Sequence, residues 1–434
     1  MDPSQKLEIV INRPSAKTPA FQVTAAGIVM SISVLGDSLL YSVLPSRLGE
    51  FGLAAGIGAG LLLSINRWVR LASNAWAASL IKRFGLKKPF FFSLPLAATT
   101  TMTYGLFPRF WPMLIARIGW GFCFSIQLVT MYMVILQQEP FHRGKYMGLY
   151  NSLLRSGSLI AVLFGGILAD MIGIQTTFLF FAALTLLNFP LVNLIQDRGP
   201  STFEEKGVIT INEQNLHLTI SSRSKRLWGF LLGTSEIIHK NRVRLLSLNY
   251  LRFTNSFTVS GLIVATLGFL VQERFGASTG FLGLTFGATT LTGIILGTSW
   301  GSEVSLSLYF GKIADKVSPK KVLRFCIPTV TAGTLLIILD NPFPMVLGIP
   351  VVFIAATATK VALDSAVGDI ASIAHREKVM ARYATWTDFG AALGPLVGYG
   401  MIQLTGSSLV YFGAGFLMLS GLLAYSLTER YLMR

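Results

Sequence analysis

The sequence predicts an all-α integral membrane protein: twelve transmembrane helices in two pseudo-symmetric six-helix bundles. Three observations carry this prediction. Of the 434 residues, 52% are hydrophobic and only 13% charged, against roughly 25% charged in soluble domains, and the mean hydropathy is +0.60. Apolar runs of about twenty residues recur from end to end, each long enough to cross a hydrocarbon core of ~30 Å. A single long polar break separates the sixth run from the seventh, and residues on either side of it repeat at a fixed offset.

The runs read as spans near 20–44, 55–81, 88–107, 111–136, 146–169, 175–195, 246–271, 289–313, 322–339, 344–371, 380–404 and 408–428. They delimit a tail 1–19, an N-terminal bundle 20–196, a central loop 197–245, a C-terminal bundle 246–429 and a tail 430–434. Inside the loop, alternation over 208–220 suggests a small hairpin, and 227–238 reads as an interfacial helix. Of the 36 Lys and Arg, 27 lie in segments on the side of the N-terminus, 3 (Arg47, Arg109, Arg274) on the opposite side and 6 within spans. Excess Lys and Arg marks the cytoplasmic face, so both termini are expected in the cytoplasm. The net charge of +16 is therefore a topology signal, and no nucleic-acid partner is expected.

The chemistry of enzymes has little foothold. There is no G-x-x-x-x-G-K-[ST] loop, no H-E-x-x-H and no C-x-x-C, so neither catalysis, metal nor cofactor is expected, and energy must come from an ion gradient. Cys123 and Cys326 both lie in apolar runs and read as packing residues. The N-terminus lacks the pattern of a cleavable signal peptide, and no N-x-[ST] sequon is present, which fits a bacterial inner membrane.

What the chain does carry is charge inside its spans: Asp37, Arg67, Arg70, Arg117, Arg155, Arg252, Glu303, Lys360, Asp364, Asp369 and Asp388. Each costs about 2.5–3.5 kcal/mol at a helix centre, so they are expected to face one another or a watered cavity. An offset of 233 residues maps Arg70 onto Glu303, Arg155 onto Asp388, Lys82, Lys87 and Lys88 onto Asp315, Lys320 and Lys321, Lys145 onto Lys378, Gly157 onto Gly390, and Gly165 onto Gly398. Asp37 and Arg117 fall at similar depth and read as partners, as do Arg252 and Asp364. Lys360 precedes Asp364 by one turn, where opposite charges attract, and Arg67, Lys360 and Asp369 are left without a dedicated partner. Gln127 is a further polar candidate for a cavity wall, beside Arg67, Arg252, Lys360 and Asp364, and Trp68, Tyr104, Tyr132, Trp300 and Trp386 could line a cavity or anchor at the interface. Glycines at helical spacing let backbones approach closely in lipid, which is the packing role expected of Gly157, Gly165, Gly394 and Gly398.

Gly311-Lys-Ile-Ala-Asp315-Lys316-Val-Ser-Pro-Lys320-Lys321 resembles the G-x-x-x-D-R-x-G-R-R loop of the major facilitator superfamily, with Ser318 in place of one glycine. The equivalent stretch after the second span keeps Arg83 and Gly85 but has Lys82 where that family has its aspartate. Gly36-Asp37 with Val43-Leu44-Pro45, Arg117-Ile-Gly119-Trp-Gly121, and the series Gly157, Gly165, Gly166 resemble the span 1, 4 and 5 motifs of its twelve-span drug:proton antiporter branch. The glycine-proline of the span 5 motif stands in the second half, at Gly394-Pro395.

The resemblance implies a central cavity opened alternately to each side, with helix 2 packed on 11 and helix 5 on 8. Combined with the offset, it predicts two inter-half ion pairs acting as a gate, Arg70 with Asp388 and Arg155 with Glu303. It implies proton-coupled export of a small organic solute, by a monomer; the carboxylate expected to couple it is Asp37, buried beside Arg117, with Asp364 as its competitor. A second reading follows from the cationic spans, six basic residues against five acidic: a carrier of an anionic metabolite or a metal chelator such as a siderophore. A third, from another class, is a membrane scaffold or receptor.

Overall fold

The computed structural model describes residues 19–136, 143–195, 239–281, 284–339, 341–370 and 376–432. They form twelve rods. In the first half these are α1 (Pro19–Ser33 continued as Leu35–Ser46), α2 (Ile57–Phe84), α3 (Lys87–Leu106), α4 (Phe110–Leu136), α5 (Arg143–Ile172) and α6 (Ile174–Leu187, ending in a 3₁₀ turn, Phe189–Leu194). The second half has α7 (His239–Asn255, a π segment Ser256–Ile263, then Val264–Phe275), α8 (Ala288–Ser305 and Ser307–Lys316), α9 (Pro319–Leu336), α10 (Pro342–Ile370), α11 (Arg376–Thr405) and α12 (Ser407–Leu432). A short antiparallel hairpin, β1 (Ser278–Phe281) with β2 (Leu284–Gly287), joins α7 to α8 and pairs Ser278 with Gly287.

Seven of the rods, α1, α4, α5, α6, α7, α10 and α12, are apolar enough over their length to cross a membrane by composition alone. Of the other five, α2 carries Arg67 and Arg70, α8 Glu303 and α11 Asp388. Two boundaries differ from expectation. Helix α7 begins at His239 inside the expected central loop, and the Gly311–Lys316 stretch is helical, with the turn confined to Val317 and Ser318. Gly311 packs against nothing, so it is not a packing glycine. The hairpin and interfacial helix expected within 208–238, and the tail before Pro19, lie outside the described residues. So does the side chain of Asp315.

The repeat is built into the backbone. Gly173 and Gly406, 233 apart, both take positive φ (88° and 80°) and form the links from α5 to α6 and from α11 to α12. Gly157 presses on the Ser31 carbonyl of α1, and its counterpart Gly390 meets the Phe253 carbonyl of α7, 2.6 Å from where a Cβ would stand. Gly165 with Leu39 repeats as Gly398 with Leu262. Each half therefore seats its fifth helix on its first through the same two glycines.

Between the halves, α2 packs along α11 and α5 along α8, again through a repeated pair. A Cβ on Gly60 would stand 2.5 Å from the Pro395 carbonyl oxygen, and one on Gly293 would overlap the Val162 carbonyl. Gly60 maps onto Gly293 and Val162 onto Pro395 by the same 233 residues. These contacts join the halves at the end of the molecule opposite the termini. Towards the terminal end the same four helices diverge and border a cavity.

Candidate functional site

The cavity, about 450 Å³, lies between the halves, walled by α1, α2, α4, α5, α7, α8, α10 and α11. Its position follows from where each helix leaves its partner. On α2 the contacts are near Gly60 and the lining runs from Asn66 to Asn74; on α5 the lining is Tyr150 to Ser158 and the contacts lie beyond Val162. The second half repeats this, with lining at Ser299–Glu303 on α8 and Tyr383–Ala391 on α11. The structure is thus closed at the end away from the termini, and the cavity extends towards the terminal end.

Asp37 lies on the cavity wall and Arg117, fully buried, directly behind it, the two forming an ion pair. A guanidinium out of water needs every donor satisfied, and here α2 supplies the rest. Arg117 Nε donates to the Leu62 carbonyl at 2.8 Å and Nη2 to the Leu63 carbonyl at 3.2 Å, with the Tyr41 hydroxyl at 3.4 Å. Asn66 donates to Asp37 Oδ1 at 3.3 Å and itself lines the cavity, so a solute touching Asn66 is one hydrogen bond from the carboxylate.

Deeper towards the terminal end, two ion pairs bridge the halves. Arg155 Nε lies 2.8 Å from Glu303 Oε2, and Arg70 Nη2 lies 3.7 Å from Asp388 Oδ1. The first is not a simple pair, because Lys360 Nζ also donates to Glu303 Oε2 at 3.1 Å.

Several expected placements need correction. Lys360, expected to have no dedicated partner and to feel Asp364, is held by Glu303. Arg252 does not pair with Asp364: its Nε donates to Thr387 Oγ1 at 2.8 Å and its guanidinium lies 5.3 Å from the Tyr383 ring centre. Asp364 instead accepts from the Tyr383 hydroxyl at 2.7 Å and does not line the cavity. Gln127 is not a cavity residue either; it is buried inside the first half, donating to Ser33 at 2.9 Å, because a buried amide takes the nearest acceptors. Arg67 does line the cavity, and donates weakly across the halves to the Ser260 carbonyl at 3.4 Å. That carbonyl belongs to the π segment of α7, a distortion often found at functional sites. Among the aromatic candidates, Tyr132 and Trp300 line the cavity. Trp68 and Trp386 pack instead in a ring cluster with Phe389 and Phe253, and Tyr104 is buried on Phe178.

One cluster has no counterpart among the sequence candidates. At the closed end Asp170 of α5 accepts from Arg47 Nη2 at 2.5 Å, from the Thr290 amide at 2.8 Å and from the Thr290 hydroxyl at 2.6 Å. Thr290 stands in the first turn of α8, so a carboxylate of one half caps a helix N-terminus of the other. Arg47 also bonds Thr289 Oγ1 at 3.1 Å and Glu50 at 2.8 Å. Burial works against its charge, but the bonds to Glu50 and Asp170 outweigh it and raise its pKa above the ordinary arginine value. Asp170 reads in the sequence as an end-of-helix charge; its depth match to the start of α8 is the signal that could have found it. Replacing Asp170 with Asn is expected to weaken closure by about 1–2 kcal/mol, raising the population open at this end about 5–30-fold. Labelling of Ser46→Cys by a membrane-impermeant thiol reagent, with and without the Asp170 change, measures it. Native Cys123 and Cys326 are buried and give little background.

Two helical bundles closed on each other at one end, around a charged mid-length cavity, have the architecture of a membrane carrier. The chain belongs to the Major Facilitator Superfamily, whose family model matches residues 26–303 and 298–432. It is a membrane carrier of small solutes and not an enzyme. It is 24% identical over 404 residues to multidrug resistance protein 2 of Bacillus subtilis (strain 168), covering 90% of this chain and 91% of that protein. Among solved structures it shares its fold with a POT family transporter in complex with 5-aminolevulinic acid (TM-score 0.72, 12% identity, 96% of each chain). It shares it also with a bacterial homolog of the human lysosomal transporter Spinster in an inward-facing, occupied conformation (TM-score 0.68, 14% identity, 96% of this chain and 98% of that one).

Proposed function

We propose that the protein is a proton-driven antiporter that exports a small organic solute across a bacterial inner membrane, as a monomer with both termini in the cytoplasm and no bound cofactor. The observation that carries this reading is the Asp37–Arg117 pair, with Asp37 on the cavity wall and hydrogen-bonded to its cavity-lining neighbour Asn66. Asp37 can exchange a proton with the cavity it lines, and a solute that engages Asn66 competes for the hydrogen bond Asn66 donates to it. Proton binding to Asp37 leaves Arg117 without its counter-charge, a strained arrangement that moving the halves can relieve. The excess of Lys and Arg on the terminal side supports the orientation, which makes the cavity inward-facing. Similarity to a multidrug resistance protein supports export.

In the cycle we assign, Arg70–Asp388 and Arg155–Glu303 act as the inter-half gate. Each bridges the halves where they must separate or close, so each biases the inward against the outward state. Arg70→Asp is expected to place two carboxylates together and reduce transport at least tenfold, like charges at this range being worth a few kcal/mol. Adding Asp388→Arg restores the opposite signs and is expected to recover a substantial part of it. Flux in proteoliposomes checks both; a double variant no better than the single would remove the gate role. The carrier reading itself is tested by untargeted comparison of spent medium and cell extract from cells with the gene deleted or restored. A compound external only when the gene is present supports export; one depleted from the medium only then reverses the direction.

A further inference from the structure

Every carboxylate on the cavity wall is already engaged. Asp37 holds Arg117, Asp388 holds Arg70, and Glu303 holds both Arg155 and Lys360. Two lining guanidiniums remain, Arg67 and Arg252, for which no ion pair is found among the described residues. They come from opposite halves, Arg67 from α2 and Arg252 from α7. Counting Arg117 and Asp364 behind the wall does not alter the surplus of two positive charges, since they add one of each sign.

Such a surplus is costly where it stands. Arg252 is only 7% exposed; the carboxylates that attract it, Asp364, Glu303 and Asp388, have direct partners elsewhere in Tyr383, Arg155 with Lys360, and Arg70, and a buried cation without a directly paired anion is costly. Its two polar contacts, a hydroxyl and a ring face, carry no formal charge. Arg67 has a single weak bond, to a backbone carbonyl of the opposite half, which must be given up when the halves rotate. Guanidinium donors left free in a low-dielectric cleft bind carboxylate or phosphate in preference to water. The same cavity is lined by aromatic rings from both halves, Trp120 and Phe124 on one, Trp300 and Phe353 on the other.

From this geometry we infer that the carrier binds its solute as an organic anion with an aryl or similarly apolar body, held by Arg67 and Arg252, one from each half. The inference rests on the transport reading and gives it a substrate class. An anion so held ties the halves together while it is bound. It also leaves Asp37 free to carry the proton, because the substrate's charge is met by residues outside the Asp37–Arg117 pair.

The test uses the full-length protein in nanodiscs and five aryl probes of similar size: terephthalate and phenyl phosphate as dianions, benzoate, benzyl alcohol and benzyltrimethylammonium. Quenching of tryptophan fluorescence, for which Trp120 and Trp300 stand in the wall, reports binding. The expected order is either dianion, then benzoate, then benzyl alcohol, with the ammonium weakest. The two dianions separate carboxylate from phosphate preference. Arg67→Gln and Arg252→Gln are each expected to weaken dianion binding about tenfold or more, as loss of a charge-assisted contact does, and to leave benzyl alcohol unaffected. Arg67→Lys and Arg252→Lys, which keep the charge, retain most of the affinity and guard against misfolding as the cause. Tighter binding of the ammonium, dianion affinity unchanged in both Gln variants, or binding of none of the anions overturns the inference. Dianion binding without pH-gradient-dependent flux leaves the anion site standing and removes the proton-coupled reading instead.

Discussion

Asp37→Asn is expected to abolish accumulation driven by a pH gradient in proteoliposomes, bringing it to the level of protein-free vesicles, while solute exchange at equal pH persists. Asparagine keeps a hydrogen-bond acceptor for Arg117 and Asn66 but has no titratable proton, so the variant separates coupling from movement. Asp37→Ala is expected to do more harm. It removes the acceptor that asparagine keeps as well as the charge, leaving Arg117 with two carbonyls and a tyrosine and nothing in place of the carboxylate, and breaking a buried pair in this way costs about 3–5 kcal/mol. Its melting temperature should fall well below that of the asparagine variant. Gradient-driven accumulation that survives in Asp37→Asn would move the proton to another carboxylate, with Asp364, hydrogen-bonded to Tyr383, the next to test.

Gly293→Leu is expected to eliminate transport by a different route. A Cβ at this position already overlaps the Val162 carbonyl, and backbone in the middle of α5 cannot give way as a side-chain tip can. The halves would be held apart at the end away from the termini, and Ser46→Cys and Thr289→Cys, whose hydroxyls now lie 3.2 Å apart, should become open to an impermeant thiol reagent. Gly60→Leu should produce the same phenotype through Pro395. Full transport in either variant would show that this closed packing is not a state of the cycle.

Much of this architecture was legible in the sequence. Hydrophobic runs give the rods, and the 233-residue offset and depth along the helices, combined with the helix 2–11 and 5–8 packing that the family resemblance implies, bring Arg70 to Asp388 and Arg155 to Glu303. The offset says nothing about how many cations share one carboxylate, so it does not place Lys360, which Glu303 holds. Arg252 and Asp364 match in depth, yet Tyr383 stands between them, and depth does not report azimuth around a helix. Asp170 was missed for another reason. Its main partners are a backbone amide and a hydroxyl, which carry no sign to match, and Arg47 had been accounted for as a topology charge. Gly60 and Gly293 do lie at the offset, but a glycine's use is visible only once its neighbour is known.

The two inter-half pairs have reversed polarity: the first half contributes Arg70 and Arg155, the second Asp388 and Glu303. If two copies of the first half assembled in the same manner, Arg70 would meet Arg155; two copies of the second would set Glu303 against Asp388. Each homotypic assembly therefore juxtaposes like charges twice over, and only the mixed one satisfies them. Expressed as separate polypeptides, the halves should sort into one-to-one complexes and reject their own kind. Two bundles that repeat each other's glycine contacts are, by four side chains, not interchangeable.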